Sequence, residues 1–374
     1  MPRRFHKKSR GGCDQCRERR VKCDETCPAC IACTTRGLTC TYLKAGSRRL
    51  PPATSLSPTS PQFKSLDTVI TTGKYDVVHL QLMHKFSTDT YKTLCCDQAD
   101  MDDWQFLIPK LACTYDFLLH GILALAALHI VATDPTSIQV LTHLDIALHL
   151  NGASFSPFSQ ALNNLTPKNC DAVYAQSAIL TVIGIALPQL NAQHRGECFS
   201  MIEIMIDVFE LLQGASQISQ ISRPWRQASI FCKYDFWGIQ DPGPYPDVAQ
   251  TIEKLRVLND SVEIAHSEQH RINQEDIDLL QGCFAKFAHT PHPAPILAWP
   301  TYVKRDFVDQ LRGRRPFQLL ILMHWAALLK EMGAHFWWAR GCGQALVIEL
   351  LGELQEQDKE WYPALQWPQS KLRK

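Results

Sequence analysis

The chain has 374 residues, 45% hydrophobic and 20% charged, with a formal net charge of +1. That length leaves room for two domains, or for one large domain with an appendage, and that composition excludes a collagen-like, wholly disordered or supercharged chain. The net charge averages two unlike parts: residues 1–50 hold 13 of the 38 Lys+Arg and 4 of the 37 Asp+Glu, leaving 25 and 33 for the rest. One end suits a polyanion and the remainder does not.

The first segment, residues 1–12, is a basic arm carrying Arg3, Arg4, Lys7, Lys8 and Arg10. It lacks the apolar stretch of a secretory signal, so a reducing compartment is expected, where clustered cysteines favour metal over disulfides. Seven of the 15 cysteines fall between Cys13 and Cys40, and the other eight are scattered.

Residues 13–43 form the cysteine module. Cys13, Cys16 and Cys23 have the spacing C-x2-C-x6-C, and Cys30, Cys33 and Cys40 repeat it further along the chain. Two tetrahedral zinc ions need eight ligand positions, so six thiolates satisfy two Zn2+ only if two sulfurs bridge. A pseudo-twofold leaves Cys13/Cys30, Cys16/Cys33 or Cys23/Cys40 as the bridging pair. The metal then replaces a core that so short a segment cannot build. Cys27 stands outside the repeat, and its plain reading is an unliganded side chain between the halves.

The halves differ in charge. RERRVK between Cys16 and Cys23 carries Arg17, Arg19, Arg20 and Lys22, whereas TTRGLT between Cys33 and Cys40 carries only Arg36. The first half is therefore the one expected to meet double-stranded DNA, most of its cations on phosphates and one or two in the major groove. Arg17, Lys22 and the arm residues supply the salt-dependent share of affinity. Pro28 is expected to stiffen the turn between the halves, and Gly37 to end the second short helix in a left-handed conformation.

GCDQCRERRVKCDETCPACIACTTRGLTCTY resembles the fungal binuclear zinc cluster DNA-binding domain at all six cysteines, at the CRxRRVKCDE run, at the loop proline and at the RGLxC ending. The resemblance implies that Cys13 and Cys30 bridge, and that Arg19 and Arg20 sit where such proteins reach a CGG-like triplet. An Arg fork suits guanine O6 and N7 together. Cys27 departs from the family, which more often has a basic or polar residue there.

Residues 44–70 read as a Ser/Thr/Pro-rich linker without apolar periodicity. From there to residue 374 the pattern is helical. Val78, Leu82 and Phe86 follow at i+4; residues 117–132 are apolar on most sides but too short and polar for a membrane span; further helices are predicted around 172–186, 196–213, 226–237, 274–288, 316–338 and 343–357. Pro-rich breaks fall at 241–246 and 290–300, and no long heptad seam is visible. The fold class expected is all α: a small zinc cluster module joined by a linker to a large helical domain.

The stretch 75–132 resembles the start of the fungal-specific transcription factor domain of sterol uptake control regulators. That implies a helical regulatory domain able to sense a hydrophobic small-molecule ligand and to engage coactivators or the transcription machinery. Cys95-Cys96, His120 and His129 have the plainer account of core or boundary packing, and His289 and His292 that of a solvated loop; Trp337-Trp338 and the acidic, aromatic tail from Glu349 to Trp367 read as amphipathic packing with a solvated acidic face rather than as an activation surface. Glu349, Glu353 and Glu356 are expected to face away from the apolar face of their helix. No phosphate loop, HExxH or GxSxG signature is present, which argues against an enzyme with a structural zinc module.

The expectation is a nuclear, non-enzymatic regulator of RNA polymerase II promoters controlling a fungal biosynthetic gene cluster. A sterol- or lipid-responsive activator is the alternative. Residues 44–66 carry no heptads, so a homodimer would have to form elsewhere or not at all.

Overall fold

The computed structural model describes residues 13–24, 30–40, 77–95, 98–228, 246–263, 267–288, 294–355, 357 and 359–372. The chain divides into two compact units, Met1–Lys74 and Tyr75–Lys374. The basic arm, Cys27, Pro28, the linker, Cys96, His289, His292 and most of the predicted 226–237 helix lie outside the described residues. Among the described residues there is no strand.

The first unit contains two short helices, α1 (Asp14–Glu18) and α2 (Ile31–Thr34), each beginning just after the first cysteine of a C-x2-C pair. The second contains α3 (Val77–Thr88), α4 (Gln98–Asp102), α5 (Ile108–Ala112), α6 (Asp116–Thr133), α7 (Val140–Asn163), α8 (Cys170–Arg195), α9 (Met201–Ile221), α10 (Pro246–Val262), α11 (Glu268–Ala288), α12 (Ala294–Tyr302), α13 (Arg305–Arg312), α14 (Pro316–Gly333), α15 (Cys342–Glu353) and α16 (Tyr362–Leu372). A π-helical turn, Asp103–Leu107, joins α4 to α5.

Two helices are buried on nearly all sides, α6 and α14, as their lack of a polar face requires. α6 packs against α7, α8 and α3, and α14 against α15, α16 and α11. The close approach of α14 and α15 needs Gly343, where an added Cβ would fall 2.3 Å from the Lys330 backbone nitrogen. Both α6 and α8 are long and apolar enough to cross a membrane by length and composition, but 67% and 72% of their apolar windows are buried inside the fold, which is the signature of core helices.

Aromatic side chains lock the second half together. Phe209 meets Trp325 edge to face at 5.3 Å and Trp299 at 5.6 Å, and the Trp325 indole donates to the Ile296 carbonyl at 2.9 Å. A buried amide chain runs beside them: Gln318 donates to Asn273 and Asn273 to Asn259, both at 2.8 Å, tying α14, α11 and α10.

Several helices differ from the sequence reading. The sequence reading names no helix over Val140–Asn163, where α7 forms with Pro157 inside it. Pro157 removes one backbone N–H and so frees only the Ala153 carbonyl, a cost the rest of the 24-residue helix bears. α12 occupies most of a stretch read as a break, with Pro300 tolerated near its end. The predicted 316–338 helix stops at Gly333, and Trp337–Ala339 form a separate turn.

Glu349 does not simply face solvent. Its carboxylate accepts from the backbone N–H groups of Met201 at 2.6 Å and Ile202 at 3.3 Å and from the Ser200 hydroxyl at 2.5 Å, capping α9 from α15. Trp337 stacks on His129 with centroids 5.1 Å apart, and both Trp337 and Trp338 donate to Thr93, the former to its hydroxyl and the latter to its carbonyl, each at 3.1 Å.

Candidate metal centre and nucleic-acid interface

Five of the six repeat cysteines are buried, and Cys40 is half-buried. Their sulfurs form two overlapping quartets, Cys13, Cys16, Cys23 and Cys30 in one and Cys13, Cys30, Cys33 and Cys40 in the other, each with all sulfurs within 4.8 Å. Cys13 and Cys30 belong to both. The Cys13 and Cys30 sulfurs are 3.7 Å apart, with Cys13–Cys33 and Cys16–Cys30 both at 3.6 Å. A zinc ion with thiolates at about 2.3 Å requires tetrahedral edges of about 3.8 Å. The donor set therefore fits two tetrahedra sharing the Cys13–Cys30 edge.

Backbone geometry repeats with the sequence. The Cys13 N–H points at the Cys23 sulfur at 3.5 Å, and the Cys30 N–H at the Cys40 sulfur at 3.4 Å. Each helix also ends alike. The Arg20 N–H bonds to the Arg17 carbonyl and the Val21 N–H to the Cys16 carbonyl; at the matching positions of the second half, Gly37 bonds to Thr34 and Leu38 to Cys33. These are the paired bonds of a helix stop with a left-handed residue. That residue is Gly37 at φ 61° in one half and Arg20 at φ 54° in the other. Asp24 links the halves by accepting from the Ile31 N–H at 3.2 Å.

Burial in so crowded a set pushes the Cys16 thiol up to about 12 and raises Cys30 and Cys33 as well. Burial also opposes ionisation at Cys13, but the Cys16 N–H and neighbouring sulfurs outweigh it and bring that thiol down to about 6. Four thiolates cannot share such a volume without a cation, so metal entry must displace protons.

Arg17, Arg20 and Lys22 are exposed around the end of α1, and Arg19 is half-buried with its Nη1 out of contact with water. The left-handed conformation of Arg20 could not be read from sequence, because the repeat flags only Gly37. Arg36 is exposed on the second half.

A buried two-quartet thiolate cluster flanked by an exposed basic helix end defines the class: a small zinc-stabilised DNA-binding module. Residues 11–49 match the fungal Zn(2)-Cys(6) binuclear cluster domain, which binds two zinc ions. The chain is 27% identical over 359 residues to the Zn(2)-C6 fungal-type transcription factor afumD of Aspergillus fumigatus, covering 86% of each protein. It is 24% identical over 439 residues to a Zn(2)-C6 fungal-type transcription factor of Gibberella zeae, covering 98% of this chain and 86% of that one. Sterol uptake control protein 2 of Saccharomyces cerevisiae is 60% identical over 40 residues, 11% of this chain. The chain thus carries a zinc cluster DNA-binding module and is similar along most of its length to proteins named as fungal Zn(2)-C6 transcription factors, which are regulators rather than enzymes.

Proposed function

We propose that the chain is a nuclear, sequence-specific regulator of RNA polymerase II promoters that reads a CGG-like site. Its zinc module spans residues 13–43 and its regulatory domain residues 71–374, joined by the linker at 44–70. Cys13 and Cys30 bridge the two zinc ions; Cys16 and Cys23 complete one tetrahedron, Cys33 and Cys40 the other. Arg20 and Arg19 reach base edges, while Arg17, Lys22, Arg3, Arg4, Lys7, Lys8 and Arg10 bind phosphates.

The observation that carries this reading is the pair of quartets sharing Cys13 and Cys30 beside the exposed Arg17, Arg20 and Lys22. The test is native mass spectrometry with and without a chelator, followed by a gel shift on CGG-containing and scrambled DNA. Two zinc ions and chelator-sensitive preference for the CGG site support it; a zinc-loaded chain without preference overturns it.

The genes controlled are proposed to be those of a biosynthetic pathway. Likeness to fungal Zn(2)-C6 factors runs along most of the chain, whereas likeness to the sterol uptake control proteins spans 40 or 41 residues and so gives a sterol-responsive activator no support from the helical domain. Transcript profiling after deletion, combined with genome-wide binding, tests it.

A further inference from the structure

Glu18 is a carboxylate set in the basic end of the zinc module. It is the last residue of α1, follows Arg17, precedes Arg19 and Arg20, and is exposed. Its direction follows from helix geometry. Cys16, two residues earlier, is buried among the other thiols, and two residues turn an α-helix by about 200°, so Glu18 leaves α1 on the side away from the sulfur cluster. Arg19, turned about 100° further and so back towards the cluster, is half-buried.

Nothing in the stability of the module calls for a negative charge there. A carboxylate at the C-terminal end of a helix opposes the helix dipole. The residue four before it is Asp14, of the same sign, and α1 ends before a residue four after could pair with it. Among the described residues Glu18 makes no hydrogen bond or ion pair, although Arg17, Arg19, Arg20 and Lys22 stand beside it in sequence. At the matching place of the second half, the Thr35 hydroxyl turns back and donates to the Ile31 carbonyl at 2.7 Å. Glu18 has no such internal use, and on a surface suited to a polyanion it repels phosphates.

A carboxylate is, however, the acceptor that suits cytosine, whose N4 amino group is its donor in the major groove. Glu18 and Arg20 are two residues apart, so their Cα atoms lie at most about 7 Å from one another, the span of about two base steps. Whatever guanine Arg20 reaches, Glu18 stands within a base pair or two of it. Cations alone favour guanine; a carboxylate beside them adds a preference for cytosine and penalises bases that present only acceptors there.

We propose that Glu18 is a specificity-determining residue of the DNA interface, accepting from the N4 amino group of a cytosine one or two base pairs from the guanine that Arg20 reads. The inference rests on the DNA-reading proposal above and deepens it.

Gel shifts with the zinc-loaded full chain test it, on duplexes that carry the CGG triplet and are changed one base pair at a time within and beside it. The wild type is expected to prefer cytosine at one such position by at least about fivefold. Glu18→Ala should remove that preference and keep those for guanine, while binding to scrambled DNA rises about twofold through loss of one repulsive charge. Glu18→Gln should move the preference at that position towards adenine, which a Gln side chain pairs through N6 and N7. Both variants change an exposed side chain and should keep two zinc ions by native mass spectrometry. A Glu18→Ala profile superimposable on that of the wild type, with an equal rise on every duplex, overturns the role of Glu18 and leaves CGG reading standing. A wild type that binds all duplexes alike overturns the DNA-reading proposal and this one with it.

Discussion

Arg20 and Gly37 occupy the same place in the two halves of the zinc module, and both are left-handed, at φ 54° and 61°. Gly37 adopts that conformation without strain, whereas for a residue with a Cβ it costs roughly 1–2 kcal/mol. Retaining Arg where Gly would fold as well points to a use for the side chain. Arg20→Gly is expected to leave zinc content unchanged and stability within about 1 kcal/mol, since relief of strain offsets the greater freedom of the unfolded chain. Binding to a CGG site should weaken by about 1–3 kcal/mol with little change on scrambled DNA. Lys7→Ala should instead weaken both alike. Equal losses on the two DNAs for Arg20→Gly would remove Arg20 from base reading.

Because Cys13 and Cys30 belong to both sulfur quartets and Cys40 to one, the cysteines are not equivalent. Cys30→Ala should abolish binding of both zinc ions, whereas Cys40→Ala should leave one ion on the Cys13, Cys16, Cys23 and Cys30 set. Native mass spectrometry reads the difference directly. Burial holds the Cys16 thiol up at about 12, so zinc must displace its proton, and affinity should fall as pH falls from 8 to 6. Identical zinc contents for the two variants would sink the shared-edge arrangement.

The module was legible because zinc ligation is a local spacing rule, and because the doubled spacing states the symmetry outright. α6 was legible for a different reason: a helix apolar on most sides has nowhere to go but the core, whereas α14 was legible only as a helix, and its end at Gly333 was not. α7 was not legible, since its leucines spread around the helix, Leu144 and Leu150 buried and Leu141 and Leu148 exposed, blurring the amphipathic period. Nor could the partner of Glu349 be read locally, because it lies 148 residues away at Met201. Sequence periodicity reports which face is apolar, not which distant N–H a carboxylate will meet.

Glu349 therefore gives a sharp stability prediction. Its carboxylate serves two N–H groups at the start of α9, a helix whose own cap, Ser200, accepts from the Glu203 N–H at 3.2 Å. Glu349→Ala should cost about 1–2 kcal/mol, in the range of an N-cap loss, and Glu349→Gln a smaller amount through loss of charge at the helix start. Both follow from thermal melts at neutral pH. An unchanged melting temperature for Glu349→Ala would show that Ser200 alone suffices.

Stability of the helical domain should fall in mild acid, and two buried histidines set the sign. His324 is fully buried, with Nδ1 2.8 Å from the Leu320 carbonyl and its ring stacked 6.0 Å from Trp367; burial brings it from 6.5 to about 4. His129, against Thr90 at 2.9 Å and Trp337, is likewise held at about 4, by burial and then by the charge of Lys85. Between pH 6.5 and 4 the unfolded chain takes up these two protons and the folded chain does not, so each histidine lowers stability by up to about 1.4 kcal/mol per pH unit as pH falls. Asp276 acts oppositely. Burial lifts its carboxyl from 3.8 to about 7, so from pH 7 down to 3.8 the folded state is the one that gains a proton. These three groups together leave the slope of one histidine, and His324→Asn should make the dependence on pH clearly shallower while leaving stability above pH 7 less changed. Denaturant melts at pH 7, 6 and 5 check this, and a His324→Asn slope equal to that of the wild type would refute the assignment.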